Sequence, residues 1–152
     1  MLDKSLKGRA LSPHSLMVER GRLIFFAKAT GQRDPVYTDV SAALAAGHPD
    51  LPVPPTFLFC LCMDSPTFAE FHTLLGMDMP RILHGEQSFT YHTMAHAGDL
   101  LTFEPKIEDV FDKRGGALEF AVRATRVTNA RGEQVADLKE VLVQHAPVGD
   151  TK

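Results

Sequence analysis

The chain has 152 residues, of which 44% are hydrophobic, and this is enough for one compact domain with its own core. Its 16 lysines and arginines nearly balance 19 aspartates and glutamates, without a basic stripe or an acidic tail, which argues against a nucleic-acid partner. The longest apolar run, residues 56–63, is far shorter than the roughly 20 residues of a membrane-spanning helix, and residues 1–21 contain no continuous apolar signal segment. We therefore expect a soluble cytoplasmic protein with one domain over residues 1–147, a polar tail over residues 148–152, and no nucleic-acid or membrane partner.

Two short helices are predicted in the N-terminal part of the chain. Residues 20–29 place apolar side chains at helical spacing, and Gly31 follows as a natural stop. A second helix is predicted over residues 40–46, because Asp39 can cap its first turn and Gly47 can end it.

The next apolar segment, residues 56–63, is predicted to be a buried strand. Cys60 and Cys62 would then lie on one face of that strand, too close in sequence for a structural disulfide. We interpret both as small buried apolar side chains, which is the usual behaviour of a free cysteine.

A third helix is predicted after this run, with Asp64 or Ser65 as its cap, Pro66 in its first turn and Gly76 at its end. Apolar residues recur along one face of this segment. We expect it to be the helix around which a sheet wraps, with residues 56–63 as the alternative.

The C-terminal half predicts an antiparallel sheet. Apolar and polar residues alternate in residues 86–92, 101–108 and 118–125, and turns are predicted at residues 113–116 and 129–133. Short helices followed by long strands in a meander indicate an α+β architecture, with the helices gathered on one face of the sheet.

Two irregularities are predicted within these strands. In the last strand the parity of the apolar residues changes after Leu138, so a bulge is predicted near Lys139 or Glu140. Pro105 has no N–H for the ladder of a strand, which predicts a sheet edge or a bulge at that point.

The most distinctive motif lies at residues 30–39, which read Thr-Gly-Gln-Arg-Asp-Pro-Val-Tyr-Thr-Asp. It resembles the Ser-Gly-Asp-x-Asn-Pro-x-His loop of MaoC-like (R)-specific enoyl-thioester hydratases. Three further segments follow in the order of that family: Leu-Pro-Val-Pro-Pro-Thr-Phe at residues 51–57, Leu-His-Gly-Glu-Gln-Ser-Phe-Thr-Tyr-His at residues 83–92, and Ala-Gly-Asp at residues 97–99. Over residues 5–146 the chain resembles the MaoC N-terminal dehydratase domain of two-domain hydratases and of mycobacterial-type hydroxyacyl-carrier-protein dehydratases.

This resemblance implies a hot-dog fold, in which an antiparallel sheet wraps around a central helix. It also implies a site for an acyl thioester of coenzyme A or of a carrier protein, with no further cofactor. In the family loop, the Asp and the His five residues later handle the proton and the water, and here those positions hold Gln32 and Tyr37. An amide cannot act as a base, and an unperturbed tyrosine has a pKa of about 10, above the useful range for a hydratase base. The implied substrate-binding residues are Gln32, Asp34, Tyr37, Pro55, Thr56 and Gln87.

Other side chains are candidates for the missing base. His84 and Glu86 are two residues apart, so on a strand they would share one face, where the carboxylate can orient the imidazole. Asp34 occupies the position of the family Asn, and it is either a substitute base or a turn residue that accepts nearby backbone N–H groups. Gln87 has inward parity and must then find hydrogen-bond partners. The remaining histidines have no ligand spacing, so no metal is expected.

Three functions stay open from the sequence. In the first, the chain is the acyl-thioester-binding subunit of an enoyl-thioester hydratase or 3-hydroxyacyl-thioester dehydratase, and a partner chain supplies the acid/base pair. In the second, it is an acyl-CoA-binding or regulatory protein without chemistry. In the third, it is an active homodimer that uses His84 and Glu86, or Asp34. The edge strands of such a fold predict a homodimer or a heterodimer with a MaoC-like catalytic subunit.

Overall fold

The computed structural model describes residues 1–145 and has helices packed on one face of a five-stranded antiparallel sheet. The helices are α1 (Arg20–Ala29), α2 (Val40–Ala45), α3 (Phe57–Met63) and α4 (Phe68–Leu75). The strands are β1 (His14–Met17), β2 (Ile82–Tyr91), β3 (Leu100–Lys113), β4 (Leu118–Asn129) and β5 (Gln134–His145), in the spatial order β1-β3-β4-β5-β2. The α+β class is confirmed, and the predicted tail at residues 148–152 lies outside the described residues. Within the described chain, no helix has the length and apolar character needed to cross a membrane.

The helices α1 and α2 lie where the sequence predicted them, and of the two only α2 starts with a side-chain cap. The Asp39 carboxylate accepts hydrogen bonds from the N–H groups of Ser41 and Ala42 at 2.7 and 3.2 Å, which fixes the start of α2. The third predicted helix is also present as α4, and it ends at Gly76 in the left-handed conformation. Its cap is Thr67, so the prediction of a cap at residue 64 or 65 is wrong.

Residues 56–63 form a helix, and the prediction of a buried strand is wrong. The buried side chains of α3 are Phe57, Leu58, Leu61 and Cys62, which is the spacing of one helical face. An apolar run of this length satisfies both patterns, so alternation alone does not separate a strand from a buried helix. Both cysteines are free, and burial raises the pKa of the Cys62 thiol to about 12, so that side chain behaves as a small apolar group.

The sheet wraps around α3 and α4 in succession. The side chains of α3 pack with Val127, Val135 and Leu138 in the larger apolar cluster. Phe71 and Leu75 of α4 pack in a second cluster against the other end of the sheet, with Ile107, Ala121 and Leu142. The central helix of the fold is therefore two consecutive segments, which include both candidates from the sequence.

The predicted bulge near Lys139 and Glu140 is wrong, because β5 pairs with β4 without interruption there. The inward parity that includes Leu138 continues through Glu140, which is buried although it is charged. The register shift lies near the start of β5 instead, between the pairs Val127–Ala136 and Thr128–Gln134. A buried carboxylate, and not a bulge, is the reason for the apparent change of phase.

Pro105 lies in an internal strand, since β3 is paired with β1 on one side and β4 on the other. The ladder with β1 ends at Phe103, and beyond it the Pro105 carbonyl accepts a hydrogen bond from the N–H of Leu11 at 2.9 Å. A register shift follows between Ile107 and Asp109. The proline is thus accommodated between the end of one ladder and a bulge.

A bulge at Gly85 separates His84 from Glu86. His84 pairs with Leu142, which is buried on the helix-facing side, whereas Glu86 pairs with Val141 of the opposite parity. Because directly paired residues project to the same side of a sheet, His84 and Glu86 lie on opposite faces. The prediction that they share a face is wrong, and a single extra residue in β2 is the cause.

The buried carboxylate of Glu140 forms an ion pair with Arg123, the residue directly opposite it on β4. These residues are only 5% and 6% exposed, and the guanidinium lies 4.8 Å from the ring centroid of Phe68 and 5.2 Å from that of Phe71. The pair and the two aromatic rings therefore connect the middle of the sheet to α4.

We expect Gly85→Ala to lower the free energy of unfolding by about 1–3 kcal/mol, the usual range for overpacking. A Cβ at this position would lie 2.9 Å from Cγ2 of Val143 and 3.2 Å from the Val141 carbonyl oxygen. The matched control is Gly21→Ala near the start of α1, where a Cβ meets nothing within 4 Å and alanine favours the helix. Urea denaturation measures both, and equal effects would contradict the constraint at Gly85.

We expect Arg123→Met to lower the free energy of unfolding by about 3–5 kcal/mol, because it leaves the Glu140 carboxylate buried without its cation. The double substitution Arg123→Met with Glu140→Leu removes both charges and should recover most of that loss. Urea denaturation of the two single variants and the double variant measures this coupling. Additive losses would contradict the pair as a linked unit.

Candidate functional site

A cavity of about 320 Å³ lies between the start of α3, the end of β2 and the loop that precedes α2. This volume lies within the usual size range of small-molecule sites. A larger hollow of about 700 Å³ runs along the exposed face of the sheet, where charged side chains such as Glu104, Lys106 and Lys139 line it. We take the smaller cavity as the candidate site because its lining is mainly apolar, with a few polar groups: Tyr37, Val53, Pro55, Leu58, Tyr91, His92, Thr93, Met94, Ala95 and Val135.

The loop at residues 30–39 is held in place by its own polar side chains. The Gln32 side-chain oxygen accepts hydrogen bonds from the N–H groups of Arg33 at 2.9 Å and Asp34 at 3.1 Å. The Asp34 carboxylate accepts the N–H of Val36 at 3.0 Å and so caps the short 3-10 turn Pro35–Tyr37. Gln32 and Asp34 are both exposed and neither lines the cavity. Their groups stabilise the turn that carries Tyr37.

Tyr37 is the residue of this loop that reaches the cavity. It is half-buried at the end of the 3-10 turn and lines the wall opposite the end of β2. The sequence named Tyr37 as a substrate-binding residue, and this binding role stays a prediction.

Pro55 and Thr56 lie at the entrance to α3, beside the same cavity. Pro55 lines the cavity, while Thr56 has a positive φ of 70° and directs its N–H to the phenol oxygen of Tyr91 at 3.0 Å. A positive φ is uncommon in threonine, so the surrounding chain must hold this conformation. Tyr91 was not selected from the sequence, where it is one more aromatic residue in an alternating strand.

Gln87 has the inward parity that the sequence predicted, but it lies outside this cavity. It lines a void of about 10 Å³ together with Phe59, Cys62 and Arg123. Its side-chain oxygen is buried with no hydrogen-bond partner among residues 1–145, and its amide nitrogen lies 3.4 Å from the Ser88 carbonyl oxygen. The geometry thus separates Gln87 from Tyr37 and Pro55.

The candidate bases also lie outside the cavity lining. The His84 ring centroid is 5.3 Å from that of Phe59, and its Nε2 is 3.6 Å from a carboxylate oxygen of Glu140. Glu86 is exposed on the other face of the sheet. Asp34 does not line the cavity either, and the catalytic role of all three residues stays a prediction.

Three titratable side chains belong to residues that line the cavity: Tyr37, Tyr91 and His92. The His92 ring is paired with Asp137 on the exposed face of β5, since its Nε2 lies 2.8 Å from a carboxylate oxygen of that residue. Over the described residues, no Asp or Glu lines the cavity. In the same part of the chain, no three His, Cys, Asp or Glu side chains come together as metal ligands.

Two histidines, His48 and His96, are in contact next to the lining residue Ala95. His48 Nδ1 lies 3.2 Å from His96 Nε2, so one ring donates and the other accepts. Burial lowers the pKa of His96, which favours the neutral ring that such a contact requires. The adjoining backbone bond from the Val53 N–H to the Ala95 carbonyl at 2.9 Å joins two lining residues directly.

Comparisons with known proteins agree with this architecture. A family model described as "FAS1-like, dehydratase domain region" matches residues 5–138. A Streptomyces coelicolor protein, "UPF0336 protein SCO4636", is 40% identical over 123 residues, which cover 75% of this chain and 82% of that protein. A "UPF0336 protein" from Saccharopolyspora erythraea is 34% identical over 150 residues, covering 98% of this chain and 95% of the relative.

Solved structures match over nearly the whole chain. The C-terminally truncated HadBC (3R-hydroxyacyl-ACP dehydratase) complex from Mycobacterium tuberculosis has a TM-score of 0.79 at 27% identity, covering 91% of this chain and 96% of that one. The ChsH1-ChsH2 complex from the same organism has a TM-score of 0.76 at 21% identity, covering 97% and 94%. The (R)-hydratase PhaJ1 from Pseudomonas aeruginosa has a TM-score of 0.66 at 22% identity, covering 93% and 83%. These three structures share the hot-dog fold of this chain. Together with the family model and the two relatives, they show that the chain belongs to the FAS1-like dehydratase domain family of MaoC-like hot-dog proteins.

Proposed function

We propose that this chain is the acyl-thioester-binding subunit of an enoyl-thioester hydratase or 3-hydroxyacyl-thioester dehydratase. In this proposal the acid/base pair comes from a partner chain. The observation that carries it is the cavity of about 320 Å³, whose lining is mainly apolar and includes Tyr37 but no carboxylate from the described residues. An apolar cavity suits an acyl group, and hydration needs a proton-transfer group. The one histidine in the lining, His92, directs its Nε2 to Asp137 on the exposed face of β5.

The reaction needs one group that activates water and returns a proton, and donors for the thioester oxygen as it gains enolate charge. The Gln32 amide neither takes up nor releases a proton, and its oxygen already accepts two backbone hydrogen bonds of the loop. A tyrosine at position 37 can donate a hydrogen bond, but it does not replace the histidine of the family loop as a base near neutral pH. In this proposal the chain therefore still binds the acyl thioester, and the partner chain carries out the proton transfer.

The active-homodimer alternative has weaker support in the geometry. It requires a base from Asp34 or from His84 with Glu86. The Asp34 carboxylate caps its own turn, and His84 and Glu86 lie on opposite faces of β2. The second alternative, an acyl-CoA-binding protein without chemistry, uses the same cavity, and it differs from the main proposal in having no catalytic partner.

Strand β2 offers this chain a surface for a partner, because it is an edge strand that pairs only with β5 among the described strands. Leu83, on that strand, is 57% exposed. A long free edge that carries apolar side chains favours pairing with another chain. The HadBC match, at 27% identity, is to a dehydratase that is itself a complex. We therefore propose that a MaoC-like chain with an intact Asp-x-Asn-Pro-x-His loop pairs with β2, in preference to a second copy of this chain.

We expect the purified chain alone to hydrate crotonyl-coenzyme A feebly or not at all, because Gln32 and Tyr37 supply no base. Co-expression with a MaoC-like chain encoded by a neighbouring gene should give a complex that co-purifies and turns over at an ordinary enzymatic rate, about 10 per second. The rate is followed by the loss of the enoyl-thioester absorbance.

The matched control uses the same partner with Leu83→Glu in this chain, which places a charge at the free edge of β2 and should weaken the complex. Full turnover by this chain in the absence of any partner would refute the proposed division of labour. In that case, comparison of His84→Ala with Asp34→Asn would identify the base.

A further inference from the structure

Tyr91 lies at the end of β2, where three features fix the position of its phenol. Its ring stacks against that of Phe89, with centroids 5.9 Å apart and planes inclined by 2°. Its backbone pairs with Ala136 of β5. Its phenol oxygen accepts the N–H of Thr56 at 3.0 Å. A strand, an aromatic neighbour and the start of α3 therefore hold one hydroxyl group at the cavity.

The hydrogen bond from Thr56 also determines what the hydroxyl can still do. A phenol oxygen that accepts an N–H retains its own O–H as a donor. Among residues 1–145, the hydrogen bond from Thr56 is the one that the phenol group makes. Tyr91 is 51% exposed, so its donor is accessible from the cavity. The result is an oriented O–H donor that makes no hydrogen bond to an acceptor among residues 1–145.

The surroundings of this donor favour a ligand acceptor over bulk water. Val53, Leu58 and Ala95 line the same cavity, and all three are buried. A ligand that fills such a cavity excludes water, which strengthens the few polar contacts that remain. Within an apolar lining, a single oriented donor selects a ligand that places one acceptor oxygen beside an apolar chain.

We propose that Tyr91 binds the substrate by donating a hydrogen bond from its phenol to the carbonyl oxygen of the acyl thioester. This inference rests on the proposed function and adds a residue and a contact atom to it. The thioester oxygen is the atom that gains negative charge as water adds to the enoyl group, so a donor placed there contributes to binding and also to the transition state. Thr56 acts as a positioning residue, because its N–H orients the phenol.

The test compares two ligands with two forms of the protein by calorimetry. Crotonyl-coenzyme A carries the thioester oxygen, whereas S-butyl-coenzyme A is a thioether of the same chain length without it. We expect Tyr91→Phe to weaken the binding of crotonyl-coenzyme A by about 3- to 10-fold, the usual effect of one neutral hydrogen bond. The same substitution should leave the binding of S-butyl-coenzyme A unchanged.

The control variant is Thr90→Val, which removes a hydroxyl from the neighbouring residue on the exposed face of β2 and should change neither affinity. A thermal unfolding curve for each variant establishes that it is folded. Equal weakening of both ligands by Tyr91→Phe, or no weakening of either, would overturn the role of Tyr91 and leave the proposed function standing. Failure of the unaltered protein to bind either ligand would overturn both.

Discussion

The buried ion pair between Arg123 and Glu140 is the constraint on which the rest of the fold depends. Along β5, Glu140 lies between Leu138 of the larger apolar cluster and Leu142 of the smaller one. A shift of β5 by one residue relative to β4 would turn Glu140 outward and Lys139 inward, and Arg123 would stay buried without its partner. Since a buried charge requires its partner, the pair fixes the register of the two central strands.

This register divides the interior into two parts with different roles. The smaller cluster is covered by α4, whose Phe68 and Phe71 rings lie against the guanidinium of Arg123. The larger cluster is covered by α3, and the candidate cavity opens at the start of that helix. The polar pair thus separates a supporting half of the core from the half that borders the candidate site.

Elements with strong local signals were predictable from the sequence, and elements decided by distant contacts were not. Asp39 fixes α2 through hydrogen bonds to the next turn, so its helix was found correctly. The run that forms α3 is short and apolar throughout, and only its packing against the sheet selects a helix. In β5, the sequence pattern predicts that the Glu140 side chain faces outward because it is charged. The residue that stabilises it in the interior, Arg123, lies 17 residues earlier on another strand.

In the candidate site, too, local signals were predictable from the sequence and features set by distant contacts were not. The loop motif drew attention to Tyr37, which lines the cavity, and the turn role of Asp34 was one of the two interpretations from the sequence. The extra residue at Gly85 inverts the expected relation of His84 to Glu86, and a bulge of one residue leaves no clear mark in the pattern. Tyr91 could have been found from a single signal, the return of an aromatic residue with a hydroxyl at the end of a predicted strand.

In the proposed function, the cavity still accepts an acyl thioester and the chain has lost its own acid/base pair. The most direct measurement is the hydration rate of crotonyl-coenzyme A for the isolated double variant Gln32→Asp with Tyr37→His, beside both single variants. A histidine needs the carboxylate to orient it, so the account predicts a rate in the double variant that exceeds both singles. The gain should be modest, because misplacement by about an ångström costs ~100-fold. A folded double variant that does not bind crotonyl-coenzyme A would contradict the account.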